Sequence, residues 1–274
     1  MPVICNPITG RYAALPSLES YRINSFSFLG FDPIDKQFKV LFPDLHKILT
    51  LGTGKMRWRN IECSLTHGIV VSAGICINGV LYYLGYTYKE MTYFVIVCFD
   101  VRSEKFKSIY PESFCQLINY KGKLGVIYDD SVSDGTFELR LWVLEDVEKQ
   151  EWSKYAYTLK DDKLLLHKVA VVGVTATGEI VLTSNFTHRK LFYVFYYNLE
   201  RNTLKRVEIQ GFGEHLEDRP SFGSIVYVLA DHVEDLNVNE TQLLKSSIYA
   251  PYVKTEEEES TSEEGEDEEE SAEK

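Results

Sequence analysis

The chain of 274 residues is poor in the features that mark most enzymes, secreted proteins and membrane proteins. No apolar run approaches the roughly 18 residues of a membrane span. The opening "MPVICNPITGRY" has no basic segment followed by an apolar stretch, so no secretory signal is expected. Cysteine is scarce: Cys5, Cys63, Cys76, Cys98 and Cys115 make an odd set with no CxxC pair. That excludes a disulfide framework and a zinc ribbon, and leaves reduced, buried thiols in a cytoplasmic or nuclear protein. The histidines His46, His67, His167, His188, His215 and His232 form no HExxH or other ligand spacing, and no G-x-S-x-G elbow is present. Without a signal peptide, the sequons at Asn185 and Asn239 carry no weight.

Two near-motifs fail on chemistry. "GTGKM" at 52–56 looks like a phosphate loop, but Leu49 and Met56 stand where a Gly and a Ser or Thr are required. "DDSVSDG" at 129–135 looks like a calcium loop started by Asp130, but Leu141 replaces the bidentate Glu at the twelfth place. No catalytic residue, cofactor or metal site is expected, and the binding residues are not legible.

Basic charge is also lacking. The net charge is −12, but 12 acidic residues and one lysine fall in the tail "TEEEESTSEEGEDEEESAEK" at 255–274. The remainder is therefore nearly neutral, at about −1. A nucleic-acid footprint is excluded on this count. Such a tail cannot bury enough surface to offset its ordering entropy, so disorder is expected there. Ser260 and Thr261 each have Glu three residues on, the pattern of an acidophilic kinase site.

What is present is a repeat. With an Asp or Asn set at zero, an apolar triplet precedes it, and large apolar residues return six and nine positions later. Asn6 is followed by Tyr12 and Leu15, Asp100 by Phe106 and Ile109, Asp146 by Trp152 and Tyr155, and Asn198 by Leu204 and Val207. Gly52, followed by Trp58 and Ile61, is a copy with Gly at zero. This reads as strand, turn, strand, because Asp and Asn bond their own backbone two residues on. A second hairpin precedes each full copy, turning near Pro33–Asp35, at Asn78-Gly79, near Gly122 and near Gly178. Two hairpins in roughly 48 residues make four strands per unit, the size of a β-propeller blade.

The expected fold is all-β: a propeller-like ring of about five four-stranded antiparallel blades, one incomplete. Blades are expected at 24–63, 73–111, 114–158 and 167–210, with residues 3–16 supplying half of another. Ser224–Ala230 is expected to pair near Val3–Leu15 and help close the ring. The recurring Tyr12, Trp58, Phe106, Trp152 and Leu204 are expected to pack between blades. Residues 1–240 form the domain; 241–274 form a linker and the disordered tail.

"VICNPITGRYAALP", "FLGFDPIDKQFKVL", "HKILTLGTGKMRWRNIEC" and "GICINGVLYYLGYT" resemble the F-box-associated domain, type 3, of plant F-box proteins, over about residues 3–235. The resemblance implies a propeller-like domain that captures protein targets. In that family it follows an F-box, the helical segment that docks on the adaptor of an SCF ubiquitin ligase. This chain begins at the "ICNP" motif without an F-box, so adaptor docking is not expected of it. The expected function is a protein–protein interaction module like the substrate receptor of an SCF ligase. Target contact is assigned to loops near Tyr86–Met91, Asp129–Thr136, Asn185–Lys190 and Gly211–Pro220. The alternative is a small-ligand or carbohydrate binder or hydrolase using the central funnel.

Overall fold

The computed structural model describes residues 3–6, 11–18, 25–52, 56–63, 67–87, 94–131, 136–160, 169–184, 186–187, 192–210, 224–225 and 246–247. The acidic tail lies outside them. The described residues are strands and turns, apart from one 3-10 turn at Pro43–Leu45.

β1 (Val3–Cys5) and β2 (Arg11–Ala14) form an N-terminal hairpin. Blade one is β3 (Phe28–Asp32), β4 (Gln37–Phe42), β5 (Lys47–Thr50) and β6 (Arg59–Asn60). Blade two holds β7 (His67–Val70), β8 (Ile75–Ile77), β9 (Val80–Thr87), β10 (Phe94–Asp100) and β11 (Phe106–Ile109). Blade three is β12 (Gln116–Tyr120), β13 (Lys123–Ser131), β14 (Thr136–Asp146) and β15 (Glu151–Lys160). Blade four is β16 (Val169–Val174) and β17 (Ile180–Ser184), then, past the short β18 (Phe186–Thr187), β19 (Phe192–Asn198) and β20 (Thr203–Ile209). All pairings are antiparallel, and each blade runs in chain order from inner to outer strand. This is the propeller-like architecture that the repeat implies.

The repeated Asp is a turn device. The Asp100 carboxylate accepts the Ser103 N–H at 2.6 Å; Asp146 accepts those of Glu148 and Lys149 at 2.8 and 2.9 Å; the Asn198 side-chain oxygen accepts that of Arg201 at 2.9 Å. Four residues after each stands a left-handed residue: Glu104, Gln150 and Asn202, with φ of 59°, 52° and 51°. Asp32, with Lys36 at φ 52°, writes the same turn in the inner hairpin of blade one. Asn78-Gly79 and Lys121-Gly122 are two-residue turns with both φ positive, the type that matches strand twist.

The core sits between blades. Strand residues alternate faces, and here both faces are covered. On β9, Leu81 and Tyr83 face blade one, while Tyr82 and Leu84 face blade three. On β14, Leu144 joins the blade-two side and Leu139, Leu141 and Val143 the blade-four side. This double coverage is why the central strands read as continuous apolar runs. Trp58, Phe106, Trp152 and Leu204 each pack into the junction with the preceding sheet, the place that the repeat assigns them. Close approach also fixes two glycines. A Cβ on Gly30 would lie 2.7 Å from Val101 Cγ2, and one on Gly74 would lie 2.5 Å from Phe28 Cδ1.

Two expectations are corrected. Ser224–Ala230 was expected beside the N-terminal hairpin, but β21 (Ser224–Ile225) pairs with β18 instead, Ile225 opposite Phe186. The free edge of β2 takes β22 (Ser246–Ser247). Ladders of two residues carry too little pattern for sequence to choose between edges. Blade two, expected from residue 73, begins earlier, at β7. Its inner strand is β7 and β8 in two pieces, both on β9, interrupted at Ser72–Gly74. There the Ser72 hydroxyl accepts the Leu84 N–H at 3.1 Å, in place of a backbone carbonyl.

The five cysteines are free thiols. Cys98 and Cys115 are buried in the junction of blades two and three, and burial pushes both thiols up to about 12. Cys5 is exposed. A thiol-specific chromogenic reagent at pH 7.5 is expected to label Cys5 in the folded protein and Cys98 and Cys115 only in denaturant. Rapid labelling of Cys98 or Cys115 without denaturant would contradict the packing.

Candidate functional site

Antiparallel order divides the connections between two faces. The hairpins β3–β4, β8–β9, β12–β13 and β16–β17 leave from one face, with the outer hairpins β10–β11, β14–β15 and β19–β20. Contacts between blades bring these turns together. The Asn78 side-chain amide donates to the Gly122 carbonyl at 2.9 Å, Arg102 meets Asp35 at 3.4 Å, and Lys121 meets Glu200 at 3.3 Å. This face is closed by short turns whose polar groups satisfy one another.

The opposite face is irregular. It receives the links between blades and the connections between the two middle strands of each blade. Tyr86–Met91, Asp129–Thr136 and Asn185–Lys190 are such middle connections, so the topology brings these candidate segments to one face. Residues 88–91, 132–135, 185 and 188–190, and all of Gly211–Pro220, lie outside the described residues.

Exposed aromatics gather on this irregular face. Among the described residues, Phe26, Tyr86, Tyr110 and Phe114 are exposed there, and Tyr155 on β15 is the exposed aromatic elsewhere. Three rings form a run across the junction of blades two and three. Tyr86 and Phe94 have centroids 5.0 Å apart, and Phe94 meets Phe114 edge-on at 5.6 Å. Composition had pointed to Tyr86 alone of these. Phe94, Tyr110 and Phe114 were missed because they flank strands of apolar pattern. The signal available was parity: in a four-stranded unit, the link to the next blade leaves from the same side as the middle connection.

The link 110–115 that carries Tyr110 and Phe114 is held from blade three. The Glu112 N–H donates to Tyr128 Oη at 3.2 Å. Arg140 lies 5.0 Å from the Tyr128 ring centroid and 3.3 Å from Glu112 Oε2. Burial comes first in raising the Tyr128 phenol to about 12, so it stays protonated and neutral at physiological pH. Lys154 caps the Trp142 ring at 3.4 Å, with its ammonium 3.9 Å from Glu112 Oε1. The aromatic run therefore rests on a braced support.

In blade three the outer three strands run on past the inner one. The last rung of β12 is Gln116 opposite Ile127, but β13 continues to Ser131, and β14 pairs with β15 as far as Thr136 opposite Lys160. This three-stranded extension leaves from the same face as the aromatic run. Exposed aromatic anchors on a face of loops suit capture of another protein.

The funnel offers less chemistry. The inner strands β3, β7, β8, β12 and β16 contain one carboxylate, Asp32. It is buried and accepts the N–H groups of Ile34 at 2.9 Å and Asp35 at 3.3 Å. Burial pushes its carboxyl up, but those bonds and Arg102 outweigh burial and hold it below the usual range. No carboxylate pair converges there among the described residues. None of their His, Cys, Asp and Glu side chains forms a group that could hold a metal.

By architecture the chain is all-β and propeller-like. Residues 1–233 match the F-box associated beta propeller domain, and the chain belongs to that family. Similar proteins are F-box proteins of Arabidopsis thaliana. F-box protein At1g47340 is 61% identical over 269 residues, covering 91% of this chain and 57% of that protein. F-box protein At2g15640 is 50% identical over 288 residues, covering 92% of this chain and 66% of that protein. The chain therefore spans about three fifths of the length of these relatives. Among the described residues, no helix is long and apolar enough to cross a membrane.

Proposed function

We propose that this chain is the target-binding domain of a ubiquitin-ligase substrate receptor, and that it grips its target protein on the irregular face. The observation that carries the reading is the gathering of exposed aromatics there, with Tyr86, Phe94 and Phe114 in mutual contact, opposite a face closed by short turns. Family membership supplies the ligase context. In this reading the propeller holds the target, and contact with an SCF adaptor falls to an F-box outside it.

Affinity capture from plant tissue, with the full chain as bait, tests this. A captured protein is expected to fall at least about tenfold with Tyr86→Ala/Phe114→Ala, because two aromatic anchors cost on the order of 2 kcal/mol or more. It should be retained with Ile34→Ala, which removes an exposed apolar side chain from the opposite face. Capture indifferent to the aromatic pair would overturn the assignment.

A further inference from the structure

We infer that Tyr128 and Arg140 of blade three are positioning residues for the target site, holding the anchor Phe114 at the rim through Glu112. This rests on the proposed function and names what makes one of its anchors ready to bind.

The three rings of the run are not set in place alike. Tyr86 and Phe94 stand directly opposite each other in the β9–β10 ladder, so hydrogen-bonded backbone fixes both. Phe114 lies instead in the link 110–115, between the end of β11 and the start of β12. Ile109 and Cys115, each 1% exposed, pin the ends of that link in the junction of blades two and three. Between them Phe114 is 49% exposed, and its ring meets Phe94 edge-on. An exposed ring on an irregular segment loses conformational freedom when a partner covers it, and that loss subtracts from affinity. A segment that is already held loses less.

Glu112, two residues before Phe114, is where blade three takes hold. Its backbone N–H donates to the Tyr128 hydroxyl, and its two carboxylate oxygens meet Arg140 and Lys154 at 3.3 and 3.9 Å. Main chain and side chain are thus gripped together, which sets the direction of the link as well as its position. The grip is itself supported. Tyr128 is buried on β13, with Arg140 directly opposite it on β14. The Tyr128 ring meets Trp142 edge-on at 5.2 Å and lies 5.0 Å from the Arg140 guanidinium. Trp142 in turn carries the Lys154 ammonium on its face. A cation drawn to an aromatic face is held in one orientation, so both cations that reach Glu112 are aimed by rings of blade three. Tyr128 and Arg140 therefore act on the target through Phe114.

The test reads the link first, by amide hydrogen exchange in the full chain. Tyr128→Phe keeps the ring and removes only the acceptor of the Glu112 N–H. In this variant the Glu112 amide is expected to exchange at least about fivefold faster, with the amides of the β13–β14 ladder unchanged. Arg140→Met should speed the same amide. Affinity is read second, for the protein captured by the wild-type chain. Tyr128→Phe and Arg140→Met should each weaken it about three- to tenfold. In a Phe114→Ala background neither should weaken it further, because the effect passes through that ring. A role in overall folding would instead raise exchange throughout blade three and add in full to Phe114→Ala. A Glu112 amide that keeps its rate in Tyr128→Phe would overturn the inference. So would equal losses of affinity with and without Phe114. The two proposals separate. A target lost with Tyr86→Ala/Phe114→Ala but indifferent to Tyr128→Phe and Arg140→Met sinks the inference and leaves the binding face standing. A target indifferent to the aromatic pair removes the binding face itself, and faster Glu112 exchange would then mark a brace with no part in binding.

Discussion

Phe99→Ala is expected to lower the unfolding free energy by about 3–5 kcal/mol, with the melting temperature falling on the order of 10 °C. Phe99 is 1% exposed in the junction of blades one and two, and its ring lies 4.8 Å from that of Phe106. The cavity could close only if two sheets moved together, and the surrounding positions resist that. Val101 is fully buried and sits where a Cβ on Gly30 would clash, and Tyr83 beside it is stacked on Phe28 at 5.0 Å. Phe106→Ala should cost about half as much, because that ring is only half-buried. Because the apolar clusters lie between sheets, the loss should shift one cooperative transition and leave the urea slope unchanged. A second transition in Phe99→Ala, with wild type showing one, would mean that the blades hold themselves up singly.

The repeat was legible because its chemistry is local. An Asp that accepts its own loop's N–H groups, a left-handed residue four places on and an apolar return at plus six are all written within one hairpin. Asp100, Asp146 and Asn198 show this directly, and their returns Phe106, Trp152 and Leu204 reach the junctions that they were assigned. What sequence could not supply depends on distant partners. The pairing of Ile225 with Phe186 and of Ser246 with Tyr12 joins segments far apart in the chain by two-residue ladders. The break in the inner strand of blade two hangs on one hydroxyl, Ser72, bonding across to Leu84. The candidate binding loops were chosen by polar, irregular composition. That method found middle connections and overlooked Phe114, whose place on the same face follows from strand direction.

Glu104→Asn should cost about 3 kcal/mol at pH 7, while Lys39→Met should cost under about 1 kcal/mol, although both break the same ion pair. Lys39, on β4, is 8% exposed. Its ammonium donates to the Val101 carbonyl at 2.7 Å and to Glu104 Oε1 at 2.7 Å. Glu104 also accepts Arg59 and lies nearer solvent. Removing the carboxylate strands a buried cation on one neutral acceptor. Removing the cation puts an apolar side chain in a mostly apolar place and leaves Glu104 with Arg59. Asparagine is the chosen replacement because position 104 is left-handed, at φ 59°, and Asn tolerates that backbone. The pH dependence follows from the carboxyl. Burial pushes it up, but the bonds from Arg59 and Lys39 outweigh burial and hold it below 4.5. A depressed carboxyl stabilises the fold above its unfolded value, and the contribution is lost as pH falls through the folded value. The gap between wild type and Glu104→Asn should therefore be full at pH 7 and shrink as the pH falls below about 4.5, as read by urea denaturation. Equal costs for the two substitutions, or a gap that does not change with pH, would show that the Lys39–Glu104 contact does not brace blade one against blade two.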